Sequence, residues 1–236
     1  MIGAFGIVVP AHNEEKLLAS CLGALKNAAK QGGVPPVRVL VVADSCADAT
    51  ADVARQHGVD VVEVNVRSAG GARAEGFKSL LESGEVDVED LWLATTDADS
   101  VVPDHWLLHQ MRMEAEGYDA FVGTVVVDDW SEHSAETKRR YARRYIARDG
   151  HPHVHGANLG LSARALLTVG GFPPLSLAED HALVAALIEH NFQICRSATA
   201  PVTTSARRDW RAPDGFGALL NSMDEPAWGR VLRLHS

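Results

Sequence analysis

Between residues 37 and 43 the chain reads VRVLVVA, seven residues with a single polar side chain. A half-buried strand alternates polar and apolar. A run that does not alternate needs cover on both faces, as a strand inside a parallel sheet has. Ala4–Val9 is another apolar run, ending at Pro10, and Val59–Val66 and Leu91–Thr95 are two more. Helical stripes lie between them. Glu14–Lys30 places Leu17, Leu18, Cys21, Leu22 and Leu25 on one face, with Asn13 as its expected cap. A second helix runs through Ala54, and a third, Ser68–Leu81, opens on Gly70 and Gly71. Strands alternating with helices of this length build β-α-β units, whose right-handed crossovers cover both faces of a sheet. The predicted fold is therefore α/β: one domain over residues 1–236, with a mostly parallel central sheet and helices on both faces. The pattern loses its regularity after about Val127.

In such a sheet, ligands bind beyond the carboxyl ends of the strands. That rule selects Pro10, His12, Asn13 and Glu14 after the first strand, Asp44 after the second, and Asp97 and Asp99 after the fourth. Three strand ends thus send acidic or amide side chains to one edge. The sharpest local feature is Thr95-Thr96-Asp97-Ala98-Asp99-Ser100. Carboxylates two residues apart can converge on one hard cation, Mg²⁺ or Mn²⁺, with positions left open for phosphate; an isolated D-x-D is otherwise an exposed acidic turn. Strand one leads into P-A-H-N-E-E rather than G-x-G-x-x-G, and G-x-x-x-x-G-K-[ST] is absent, so neither a dinucleotide fingerprint nor a P-loop is present. Arg73, in Gly70-Gly71-Ala72-Arg73, stands at a helix start where it could reach a diphosphate or lie on a solvated face.

Composition narrows the partners. Twenty-two Lys and Arg against 31 Asp and Glu give a net charge of −9, which disfavours a nucleic-acid partner, because that needs a basic face. Cys21, Cys46 and Cys195 are odd in number and form no C-x-x-C, so free thiols in a reducing cytoplasm are the expectation. No run of eighteen apolar residues is present, and Met1–Pro10 lacks a basic leader, so neither a spanning helix nor a signal peptide is expected.

The series V-V-P-A-H-N-E-E, V-V-A-D-S-C-A-D-A-T, A-G-G-A-R-A-E-G and T-D-A-D-S, followed by H-G-A-N-L-G-L-S, V-G-G-F and Ala178-Glu179-Asp180-His181, resembles the family 2 glycosyltransferases of the GT-A fold. The resemblance runs from about Val8 to Asp180. It implies a nucleotide-binding half at 1–100, an acceptor-side half at 101–200 and a C-terminal loop and tail at 201–236. It implies a nucleoside-diphosphate sugar as donor, an acceptor hydroxyl left unnamed, Mn²⁺ or Mg²⁺ as cofactor, and a single inverting displacement. Pro10, His12, Asn13 and Glu14 would line the nucleoside pocket, and Asp44 would hold base or ribose. Asp97 would face ribose or diphosphate, and Asp99 would be the main metal carboxylate. Asp180 would be the base, with Glu179 supporting it. Two departures stand out. The second strand ends in A-D-S, with one carboxylate where the family has two. No His follows His190 until His235, which leaves Thr203, Ser205 or water to complete a metal sphere.

Other segments stay open. His155 and Asn158, in H-G-A-N, could meet a sugar or form a tight turn. Arg207, Arg208 and Arg211 could close on a diphosphate or form a solvated loop. Lys138–Arg148 holds six cations; it could meet an anionic acceptor, touch a membrane peripherally, form a homodimer contact or face solvent. The competing functions are a sugar-1-phosphate nucleotidyltransferase, against which the acidic first loop speaks, and a non-catalytic nucleotide-sugar-binding module.

Overall fold

The computed structural model of the protein describes residues 1–208 and 220. The elements follow in the order β1 (Ala4–Ala11), α1 (Leu18–Ala29), β2 (Val37–Asp44), α2 (Thr50–Gln56), β3 (Asp60–Val64), α3 (Ala69–Glu82), β4 (Leu91–Thr95), β5 (Ser100–Val101), α4 (Trp106–Ala115), β6 (Ala120–Val126), α5 (Ala135–Arg144), β7 (Leu159–Ser162), α6 (Ala163–Thr168), α7 (Glu179–Glu189) and β8 (Ile194–Thr204).

The strands form one sheet in the order β3-β2-β1-β4-β7-β6-β8-β5. The pairs β1–β2, β1–β4, β2–β3 and β6–β8 are parallel, and β4–β7, β6–β7 and β5–β8 are antiparallel. Every residue of β1 is buried, and alternate residues enter opposite cores, as the strand period of two requires. Phe5, Ile7 and Val9 pack with Leu18, Cys21, Leu22 and Leu25 of α1 and with Trp106 and Leu107 of α4. Ala4 and Val8 pack with Ala72, Phe77 and Leu80 of α3 and with Leu183, Val184 and Leu187 of α7. The sheet is thus mostly parallel with helices on both faces. From β1 the chain adds β2 and β3 on one side and then returns to add β4 on the other. The strand order reverses there, and the crevice beyond the carboxyl ends of β1 and β4 is where such a sheet takes its ligand.

Two local expectations shift. α1 begins at Leu18, and its N-cap, Leu17, makes no side-chain bond. Asn13 does not cap it; Asn13 lies at φ 54° and spends its Oδ1 on the Ala47 N–H, at 2.8 Å. The basic helix starts earlier and ends earlier than its charges suggest. Ser134 caps it by accepting from the Thr137 N–H, and Tyr145 turns extended at ψ 124°.

The chain divides into two compact units: Met1–Val126 with Ala147–Thr204, and Val127–Ile146 with Ser205–Ser236. The first carries the sheet. The described core of the second is Tyr141, Ala206 and Leu220, with Val127, Trp130 and Tyr145 against them. Among the described residues no helix is long and apolar enough to cross a membrane.

Candidate active site

At the end of β1 the loop is held by the end of β2. The ring Nδ1 of His12 lies 2.6 Å from the Asp44 carbonyl oxygen, and His12 Nε2 lies 3.2 Å from Asn13 Nδ2. The N–H of Glu14 donates to Thr50 Oγ1 at 2.8 Å, and its carbonyl accepts from Leu17 and Leu18. Glu14 is buried and His12 is exposed. Pro10 is buried inside β1 opposite Val42. The β4 ladder stops at Val8, so a residue without an N–H is tolerated just beyond it. Pro10 therefore sets the exit of the strand.

Asp44 is 4% exposed. Its Oδ1 accepts from the N–H groups of Val66 and Arg67, at 2.9 Å each, and from the Ser45 hydroxyl at 3.0 Å; its Oδ2 accepts from the Ser68 N–H at 2.9 Å. Both oxygens are engaged in holding the loop that leads into α3. Ser68 then caps α3 by accepting from the Gly71 N–H, and that fixes the helix carrying Arg73.

Arg73 is 3% exposed. Its Nη2 donates to Asp97 Oδ1 at 2.5 Å, its Nη1 donates to Glu179 Oε1, and its Nε donates to Thr95 Oγ1 at 3.3 Å. The Phe172 ring lies 6.0 Å from the guanidinium carbon. Burial works against the Arg73 charge, and Asp97 and Glu179 more than restore it. Burial pushes the Glu179 carboxyl up while Arg73 pulls it down. We read the pair as ionised, because a buried guanidinium requires a counter-ion. Its fork is taken by two carboxylates and a threonine.

Two glycines permit this approach. A Cβ on Gly156 would come 2.5 Å from Arg73 Nη2, and one on Gly70 would come 2.1 Å from the Leu175 carbonyl oxygen. The Gly156 N–H donates to Asp180 Oδ2 at 2.9 Å, and the His181 N–H donates to Asp180 Oδ1 at 2.8 Å. Asp180 is thus oriented by two backbone groups, one residue along α7 from the Arg73 bridge. Each of its oxygens keeps a further lone pair. Ala178, just before α7, adopts a left-handed φ of 55° and turns Glu179 and Asp180 into place.

The D-x-D pair follows β4. The Asp97 side chain is 37% exposed, its carbonyl accepts from the Ser100 N–H at 3.0 Å, and the Cys21 thiol lies 3.4 Å from that carbonyl. Asp99 is half-buried, with the Ser100 hydroxyl at 3.4 Å. Ser100 itself donates to Thr204 Oγ1 at 2.9 Å, tying β5 to β8. Among the described residues no three His, Cys, Asp or Glu side chains converge as a metal cage. The donor set fits a hard cation that shares a bound diphosphate. It does not fit a cation held by protein alone.

Asn158 is fully buried. Its Nδ2 donates to the Thr124 and Ala200 carbonyls at 2.8 and 2.9 Å, and its Oδ1 accepts from Trp106 Nε1 at 2.8 Å. The amide clamps β6, β8 and α4 together. His155 belongs to a stack: the ring centroids of His151 and His153 are 5.8 Å apart, and those of His153 and His155 are 5.9 Å apart. Burial, then the neighbouring His153, His151 and His181, push the half-buried His155 down to about 3. The period-two spacing of H-P-H-V-H carries this stack in the sequence, although only His155 was singled out there. In the second unit, Arg208 donates from its N–H to Glu132 Oε2 at 2.8 Å and from Nε to the Glu132 carbonyl at 2.6 Å. The Arg207 N–H donates to Ser205 Oγ at 3.2 Å. Arg211 lies outside the described residues.

No curated protein matches the sequence. Among solved structures, S. aureus TarS 1-349 in complex with UDP-GlcNAc is similar at a TM-score of 0.65 and 15% identity, over 92% of this chain. This chain covers 62% of that TarS chain. The mannosyltransferase PcManGT from Pyrobaculum calidifontis, in complex with GDP-Man and Mn²⁺, gives a TM-score of 0.56 at 20% identity, over 82% of this chain and 56% of its own. Glucosyl-3-phosphoglycerate synthase from Mycobacterium tuberculosis, in complex with Mn²⁺, UDP and glucosyl-3-phosphoglycerate, gives 0.57 at 17%, over 98% and 79%. At these identities the likeness is one of fold. The family model described as Glycosyl transferase family 2 matches residues 6–166, from β1 through the D-x-D and into α6, and on that match the chain belongs to glycosyl transferase family 2.

Proposed function

We propose that this chain transfers the sugar of a nucleoside-diphosphate sugar to an acceptor hydroxyl in a single inverting displacement, with Asp180 as general base. The observation that carries the reading is the Arg73 bridge. One buried guanidinium joins Asp97, of the D-x-D, to Glu179, beside Asp180. The bridge supports the reading by tying the residue that opens the D-x-D to the residue just before Asp180. The nucleotide-sugar complexes among the structural neighbours agree with this class of donor.

In this reading His12, Asn13 and Glu14 would border the nucleoside, and Asp97 and Asp99 would hold Mg²⁺ or Mn²⁺. When bound, the cation neutralises charge developing on the departing diphosphate. The acceptor oxygen attacks the anomeric carbon as the bond to the diphosphate breaks, and the leaving oxygen keeps the electron pair. The acceptor proton passes to Asp180, whose carboxylate the N–H groups of Gly156 and His181 hold in place. Glu179 stays paired with Arg73 and so fixes the start of α7 rather than taking the proton. The three free thiols fit a cytoplasmic setting.

Asp180→Asn tests the proposal. A base acts mainly in the transition state, so donor affinity should hold while kcat falls about 10²–10⁴-fold. Near-normal turnover in the variant, or a product with retained anomeric configuration, would contradict it.

A further inference from the structure

The carboxyl edge of the sheet carries backbone strain that the residues placed in sugar transfer do not account for. Five non-glycine residues among those described have a positive φ. Three of them stand just past the ends of neighbouring parallel strands: Asn13 after β1, Ser45 after β2 and Arg67 after β3, at φ 54°, 53° and 54°. Left-handed backbone is costly for an L-residue, least so for asparagine, and it persists where the surroundings hold it, above all at functional sites. Arginine is the least expected of the three. Asp44 holds it there by accepting from the N–H groups of Val66, Arg67 and Ser68.

Hydrogen bonds join these positions into one row. His12 Nδ1 lies 2.6 Å from the Asp44 carbonyl oxygen, and Asn13 Oδ1 accepts from the Ala47 N–H at 2.8 Å. Asn65 Oδ1 accepts from the Ser45 hydroxyl at 2.7 Å and from Arg67 Nε at 3.3 Å. What the outer end of the row leaves over is donors. Asn65 and Arg67 are exposed. The Asn65 N–H₂ and both Nη groups of Arg67 have no protein partner among the described residues. Asp44 is buried, with both oxygens bonded.

The sheet order β3-β2-β1-β4 spaces these groups along the crevice. The D-x-D follows β4, the His12–Glu14 loop follows β1, and Arg67 follows β3, three strand spacings or about 14 Å from β4. A nucleoside diphosphate with its phosphates at β4 and its ribose by the β1 loop extends its base toward the ends of β2 and β3. We infer that Arg67, seconded by Asn65, is the residue that selects the donor's base, and that the base is guanine. The inference rests on the donor reading proposed above. Guanine presents O6 and N7 side by side, two acceptors that an arginine fork meets with parallel bonds. Adenine sets an N–H₂ beside its N7, and uracil sets an N–H between its two carbonyls, so each opposes a donor to a donor.

The test is calorimetric titration of the full chain, in Mn²⁺, with GDP, UDP, ADP and CDP. All four carry the same ribose and diphosphate, so their differences read the base alone. GDP should bind about ten- to a hundredfold more tightly than the other three, the discrimination of one bidentate pair. Arg67→Gly removes the side chain and relieves the left-handed backbone; it should bind all four alike. Arg67→Lys keeps the charge without the fork and should lose most of the preference. The preference is a ratio within each variant, so a change in stability does not mimic its loss. Tighter binding of UDP, ADP or CDP than of GDP would overturn the inference and leave the donor reading standing. So would a GDP preference that survives in Arg67→Gly. Binding of none of the four would overturn the donor reading and the inference with it.

Discussion

Arg73 is where the two halves of the site meet. A buried guanidinium with three acceptors is rigid, and here the acceptors come from β4, the loop after it and the start of α7. Taking one partner from a buried pair leaves an uncompensated charge, which typically costs about 3–5 kcal/mol. Arg73→Met should therefore lower stability by about that amount in chemical denaturation, since Glu179 and Asp97 both lose their bridge to the guanidinium. Arg73→Lys should recover only part of this, because an ammonium cannot reproduce the planar fork. A loss under about 1 kcal/mol in the Met variant would mean the bridge is solvated in solution. Gly156 belongs to the same unit, since any side chain there displaces the guanidinium.

Among the elements, the short loop between β3 and α3 has specific support. Asp44 gathers three consecutive N–H groups, and Arg67 within them sits at φ 54°. Asp44→Asn keeps the shape but puts an N–H₂ where one oxygen accepted, so a buried donor loses its partner at a cost of about 1–3 kcal/mol. Hydrogen exchange in residues 65–71 should quicken in that variant; unchanged exchange there would show that the loop is held by something else. The same loop explains what was legible in the sequence. Apolar runs and strand-end carboxylates follow from chain-local periods, so β1, β2, β4, α3 and the positions of Asp97 and Asp99 could be read directly, whereas Asp180 was singled out by the family resemblance alone. The structural partners of Asp44 and Asn158 were not legible because they lie far away in sequence: 22 to 24 residues for Asp44, and 34 to 52 for Asn158. A polar side chain at a strand end looks the same whether it faces ligand or holds a loop. The antiparallel strand β7 and its neighbours β6 and β8 were missed for a related reason. Each is positioned by pairing with a distant strand rather than by a β-α-β repeat.

At the scale of the whole molecule, acid should weaken the fold through the histidine stack. His155 is pushed from 6.5 to about 3, and His151 and His153 are pushed down as well, first by burial. Arg196 adds to the push on His151 and His153, and Asp149 lies close enough to feel the charge of His151. A histidine whose folded value is depressed binds its proton more readily when unfolded. Its contribution is therefore complete above the unfolded value of 6.5 and is lost as pH falls toward about 3. The melting temperature should fall across that window, and His155→Gln should flatten the fall; parallel curves for wild type and variant would remove the stack as the cause. The larger claim is that Asp97 and Asp99 make this chain a metal-assisted binder of a nucleoside-diphosphate sugar. Its most direct test is a thermal-shift panel of nucleoside diphosphates and their sugars, with and without Mn²⁺, on the wild type and on Asp99→Ala. Ligand at a hundred times its dissociation constant stabilises the native state by about 2.7 kcal/mol. At least one nucleotide should therefore raise the wild-type midpoint by several degrees, only with Mn²⁺, and should leave Asp99→Ala unmoved. A panel with no stabilising nucleotide, or an equal Mn²⁺-dependent shift in Asp99→Ala, would contradict the account.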